Sequence, residues 1–129
     1  MAEKPAAGFE ISSSRYEDQT VLTRMAGRAN GQAVTGGRAE FERSILDGNV
    51  RYWLFDLSGL TGFTPDTVPA GAHWWRAFRG LGGTTVLFVT SLPAARMAAL
   101  SLGFAVGVVI HICQTRREAD EKLRALQAG

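Results

Sequence analysis

The sequence predicts a single α/β domain built on a mostly parallel sheet, with an N-terminal hairpin and about four helices. Two apolar runs, YWLF at 52–55 and TTVLFVT at 84–90, have the character of strands buried on both faces. Helical segments of about 10 to 15 residues alternate with the strands, which implies right-handed crossovers and a parallel sheet covered by helices. Two short strands joined by a polar turn open the chain and add one antiparallel pair.

Residues 1–8 read as a flexible leader with no role, and 9–129 as the domain. The stretch 9–16 (FEISSSRY) begins with apolar and polar residues in alternation, and 20–25 (TVLTRM) carries β-branched residues, with 17–19 as the turn of a hairpin. Residues 26–37 are rich in Gly, Asn and small side chains and predict a connecting loop, with room for a short strand at 32–34. Thr35 is placed as N-cap of a helix over 36–47, with Phe41 and Ile45 on its inner face and Gly48 as its stop.

The segment 50–67 is the one around which the rest is organised. Its apolar strand gives way at Asp56 to a polar loop, because Ser58, Gly59, Thr61, Gly62, Thr64 and Pro65 all favour turns. Asp66 or Thr67 then caps a helix over 68–81, with Pro69 in its first turn. Trp74, Phe78 and Leu81 fall on one side of that helix, and His73, Arg76 and Arg79 largely on another. Neighbours on a helix diverge by about 100°, so Trp74 is assigned to the core and Trp75 to the rim. After the strand at 84–90, Ser91 caps a helix with Pro93 in its first turn and Gly103 as its stop. Residues 106–113 (VGVVIHIC) form the last strand. Thr115 caps a final helix over 116–127, in which Glu118 and Lys122 are an i,i+4 pair.

Composition narrows the function classes. At 129 residues and 46% hydrophobic content the chain sustains one core and leaves no room for a second domain. The 14 Lys and Arg and 12 Asp and Glu are mixed along the chain without a basic stripe interleaved with aromatics, so no nucleic-acid partner is expected. Cys113 is the only cysteine, which excludes an internal disulfide and Cys-based metal clusters. Without a secretory signal in the first residues, the expected compartment is the cytoplasm. The uncharged stretch 97–113 is shorter than the ~20 residues of a spanning helix and is divided by Gly103 and Gly107, so no membrane span is expected.

His73 and His111 have no partner at metal-ligand spacing, and neither a metal nor a cofactor is expected. His111 and Cys113 share one face of a strand, where Cys113 reads as a small core residue. The glycines at 36–37 and 80–83 lack the spacings that cradle phosphates. No nucleophile is paired with a base, and no enzyme activity is expected.

Three segments carry a family likeness. WLFDLSGLTGF at 53–63 resembles the strand ending D-L-S-x-V-x-F of the STAS domain, the SpoIIAA-like fold of bacterial anti-sigma factor antagonists. SLPAARMAALSLGF at 91–104 is similar to that family's helix beginning P-x-V, and QTRREADEKL at 114–123 to its last helix, S-R-E-E-A-L. The antagonists carry D-S-S-G-L after the central strand, with the second serine phosphorylated. Counted without gaps from Asp56, those positions hold Thr64, Pro65, Asp66, Thr67 and Val68.

The resemblance therefore implies a non-catalytic, protein-binding regulatory module whose phospho-acceptor position is the carboxylate Asp66. Asp66 is either a helix cap or a permanent phosphoserine mimic, and Thr67 or Thr64 is an alternative acceptor hydroxyl. The expected partner surface is Thr61, Thr64, Asp66, Thr67 and Trp75, and the expected partner an anti-sigma factor or related kinase. Two further readings by resemblance are a STAS subunit docking on a transporter ATPase and a lipid or small-ligand carrier of the SEC14 kind, the latter requiring a large apolar cavity.

Overall fold

The computed structural model describes residues 8–129, so the leader expected over 1–8 lies, Gly8 apart, outside the described residues. The elements are β1 (Glu10–Arg15), β2 (Thr20–Ala29), α1 (Gly31–Gly36), α2 (Arg38–Ile45), β3 (Tyr52–Phe63), α3 (Thr67–Gly80), β4 (Thr85–Val89), α4 (Pro93–Val106), β5 (Val109–Cys113) and α5 (Arg116–Ala128). The strands form one sheet in the order β1-β2-β3-β4-β5. The β1–β2 pair is antiparallel and the other three pairs are parallel. Trp53 pairs with Val86 and Leu54 with Leu87, so the two apolar runs are adjacent, parallel and buried. The predicted α/β architecture holds, with five helices among the described residues where about four were expected.

The crossover helices α1 to α4 all lie on one face of the sheet. Their core is aromatic: Phe41 stacks on Trp53 at 4.6 Å and on Trp74 at 4.9 Å, and Trp53 stacks on Phe55 at 4.7 Å. The Trp53 indole N–H donates to Thr23 Oγ1 at 2.9 Å, and Thr23 is bonded in turn to Ser13 Oγ at 2.8 Å, whereas the buried Trp74 indole N–H in the same core has no partner. Among the described residues the other face is covered by α5 alone, over a small cluster of Tyr52, Leu54, Leu87, Val89, Cys113, Ala119 and Leu123.

The largest departure from expectation is β3, which runs twelve residues to Phe63 instead of ending at Asp56. Residues 57–63 pair with β2, whose own strand extends to Ala29 through two register shifts. Their turn formers are accommodated by that pairing. A side chain on Gly59 would meet Ala26 Cβ at 2.9 Å, so the bare glycine is what lets the bulged strands close.

The predicted loop at 26–37 is likewise half strand and half helix. Residues 32–34 belong to α1, whose N-cap Asn30 accepts the Ala33 N–H at 2.8 Å; Thr35 caps nothing and its hydroxyl returns to the Gly31 carbonyl. Helix α2 starts from Gly37 with no side-chain cap.

Further along, α4 starts from Leu92, whose N–H is taken by Thr90 Oγ1, so Ser91 is not its cap. The helix passes through Gly103 and ends at Gly107, which is left-handed at φ 88. Gly103 serves packing: a Cβ there would lie 2.2 Å from Ile110 Cγ1. Thr115 does cap α5, accepting the Glu118 N–H at 3.1 Å. Glu118 turns back to the Gln114 N–H at 3.0 Å instead of pairing with Lys122, and the i,i+4 ion pairs of α5 are Arg116–Asp120 and Arg117–Glu121.

Candidate functional site

The start of α3 is where most of the sequence-predicted site residues gather. The Thr64 N–H is tied to the Ala29 carbonyl at 3.1 Å, fixing the loop against the end of β2. The Thr64 hydroxyl donates to Asp66 Oδ1. Asp66 occupies the N-cap position of α3, but its side chain makes no cap bond. It turns toward the start of α1 instead, where its Oδ2 lies 2.9 Å from the place a Gly31 Cβ would fill. The Thr64 hydroxyl, and after it the Gly31 backbone N–H, hold the Asp66 carboxyl below the ordinary carboxylate range. Asp66 is therefore an exposed, ionised group bridging the first turns of two helices.

Its neighbours divide. Thr61 is exposed on the outer part of β3, a strand and not a loop. Thr67 is half-buried, and its Oγ1 is fully enclosed with no hydrogen-bond partner. The residue lines an apolar crevice of about 60 Å³ between α3 and α4, together with Phe55, Leu57, Trp75, Phe88 and Leu102.

Trp75 is 2% exposed, which overturns its placement at the rim. Trp74 is equally buried. The 100° divergence stands, but α3 is flanked on both sides: Trp74 enters the Phe41 stack beside α2, and Trp75 packs on Phe55 and Phe88 toward α4. An interior helix of a four-helix layer has a buried arc wide enough for both.

A second polar cluster, on the α5 face, was not anticipated. Asp56 is 4% exposed in the middle of β3 and accepts the Ser58 N–H at 2.9 Å, the Ser58 hydroxyl at 2.7 Å and Arg116 Nη1 at 3.3 Å. Arg24 Nε stands 3.9 Å away. The Arg116 guanidinium also lies over the Tyr16 ring, whose hydroxyl donates to Asp120. Desolvation alone would raise the Asp56 pKa, but the Ser58 hydroxyl and N–H and the Arg116 charge outweigh it and hold the group ionised. The signal was present in the sequence as a lone acid inside YWLFDL. Its partner, sixty residues later, was not readable from spacing.

His73 is exposed, and His111 and Cys113 sit on β5 beside α5. Burial, and secondarily Glu118, pushes the Cys113 thiol up, while burial and then Lys122 push His111 down; neither change favours a thiolate paired with an imidazolium. Among the described residues no three His, Cys, Asp or Glu side chains gather as metal ligands, and no helix is long and apolar enough to cross a membrane.

Fold comparison places the architecture in a known class. The protein is similar to the anti-sigma factor antagonist SpoIIAA in its unphosphorylated form, with a TM-score of 0.67 and 20% identity over 89% of this chain and 98% of that one. The phosphorylated form of SpoIIAA, the Bacillus cell fate determinant, gives 0.65 and 19% over 88% and 99%. An uncharacterized protein of the DUF3478 family with a SpoIIAA-like fold, from Shewanella loihica PV-4, gives 0.68 and 13% over 95% and 99%. No family model matches the sequence, and no curated protein is similar to it at the sequence level. The chain has the SpoIIAA-like, STAS-type fold.

Proposed function

We propose that the protein is a non-catalytic regulatory module that binds another protein through the surface around Thr61, Thr64 and Asp66, with an anti-sigma factor or related kinase as the partner class. The observation that carries this reading is Asp66 itself: an exposed carboxylate at the N-terminus of α3, held ionised, on a fold shared with a protein known in both unphosphorylated and phosphorylated forms. A carboxylate carries about one charge where phosphoserine carries nearly two and cannot be discharged by a phosphatase, so the module is fixed in a modified-like state. Asp66→Ser is then expected to tighten binding of a partner that prefers the uncharged form by about one to a few kcal/mol, and to accept phosphate at residue 66. Capture from the native host on immobilised wild type and Asp66→Ser, followed by phosphosite mapping, tests this. Equal capture and no modification of either bait would reject it.

The apolar crevice beside Thr67 favours a second reading, a site for a small apolar molecule. Its 60 Å³ is far below the roughly 300 to 1,000 Å³ of ordinary ligand pockets, which argues against a SEC14-like lipid cargo.

A further inference from the structure

Helix α4 is apolar all the way round. Of its 14 residues, PAARMAALSLGFAV, only Arg96 is charged. A helix of that composition belongs in apolar surroundings on every side, yet this one is covered on only part of its circumference. Ala95, Ala99 and Gly103 are buried, with Gly103 against Ile110 of β5, and Ala98 and Leu102 line the crevice shared with α3. At about 100° per residue, Met97 and Phe104 then point away from the sheet, and Leu100 lies beside them on the flank away from α3. They are 66%, 93% and 46% exposed.

The charges around this face are of one sign. No Asp or Glu occurs between Asp66 and Glu118, a stretch that contains all of α3 and α4. The exposed arginines of these two helices are Arg76, Arg79 and Arg96, and among the described residues none of the three forms an ion pair. Arg79 reaches the end of α4, where its Nε lies 4.0 Å from the place a Gly107 Cβ would fill. On α2 and α5, by contrast, arginines are matched by acids one turn along: Arg38 by Glu42, Arg116 by Asp120 and Arg117 by Glu121.

We propose that the outer face of α4, with the arginines of α3 beside it, docks on the surface of a bilayer containing anionic phospholipid. Two features select a lipid surface over a protein as the occupant. Met97 and Phe104 protrude from the convex side of a helix, and a protein would need a pocket shaped to each. The headgroup boundary of a bilayer closes around any protruding apolar group. The cations, unopposed by acids, stand at both ends of the apolar row, Arg96 beside Met97 and Arg79 at the end of α4. There they meet lipid phosphates while the side chains between them enter the acyl boundary. The attachment is peripheral, since none of the described helices is long and apolar enough to cross a membrane. Asp66 lies at the other end of α3 from Arg79, about 20 Å along the axis, so its surface stays open to a partner.

Flotation with vesicles of phosphatidylglycerol and phosphatidylcholine in equal parts, against vesicles of phosphatidylcholine alone, tests the proposal. Wild type should float with the anionic vesicles, and progressively less as salt is raised. Arg76→Ala combined with Arg79→Ala should weaken uptake about 25-fold, at about fivefold per cation. Phe104→Ser should weaken it by about tenfold or more. Arg117→Ala removes a charge that is 89% exposed on α5, outside the docking face, and should change uptake by less than about twofold. All four side chains are exposed, so each variant keeps the wild-type fold, which circular dichroism checks. A wild type that floats with neither kind of vesicle overturns the proposal and leaves the face to a protein. Uptake that survives Phe104→Ser, or that Arg117→Ala lowers as much as the double variant does, overturns it as well.

Discussion

The two faces of the sheet solve the same covering problem with different materials. One is closed by four helices over stacked aromatics and has room to spare beside Thr67. The other is closed by one helix over small aliphatic residues and a buried ion pair. Large rings supply contact area at a few positions, so the four-helix face depends on a few residues. The single-helix face depends on a cap, a charge pair and a seam of methyl groups. Both faces use β3, which sends Trp53 and Phe55 to one side and Leu54 and Asp56 to the other.

The comparison is broken most severely by Trp53→Ala, which removes the ring at the centre of four aromatic contacts and leaves Thr23 with one partner fewer. A loss of about 3 to 5 kcal/mol is expected in urea unfolding. Leu123→Ala, equally buried but on the single covering helix, which is free to settle inward, should cost about 2 to 3 kcal/mol. A larger loss at Leu123 than at Trp53 would reverse the ranking of the faces.

The ion pair sharpens the contrast through pH. The folded-state pKa of Asp56 is depressed, so its contribution is fully present above the unfolded carboxyl value near ~4 and is lost as pH falls through the lower folded value. Asp56→Asn should flatten that acid limb and cost about 1 to 3 kcal/mol at neutral pH. An unchanged acid midpoint would show that Asp56 titrates as it does in the unfolded chain.

The smallest effect has the opposite sign. Thr67→Val replaces an enclosed, unpartnered hydroxyl by a methyl group of similar shape and should stabilise the fold by up to about 1 kcal/mol in thermal melts. Destabilisation would mean that the hydroxyl has a partner in solution.

Much of this was legible in the chain itself. The order of elements apart from α1, the adjacent buried strands at Trp53 and Val86, and the Thr115 cap follow from periodicity and capping chemistry, which act within a few residues. Tertiary contact decided the rest. Turn-forming residues 57–63 became strand because β2 was there to pair with them, and Gly59 was small enough to allow it. Trp75 was buried because α3 has neighbours on both sides, a fact no helical wheel contains. Asp66 left its own helix for Gly31 of α1, and Asp56 found Arg116 sixty residues away. Local sequence sets what each segment prefers, but hydrogen-bond partners and burial are properties of pairs, and the pairs exist only once the chain has folded.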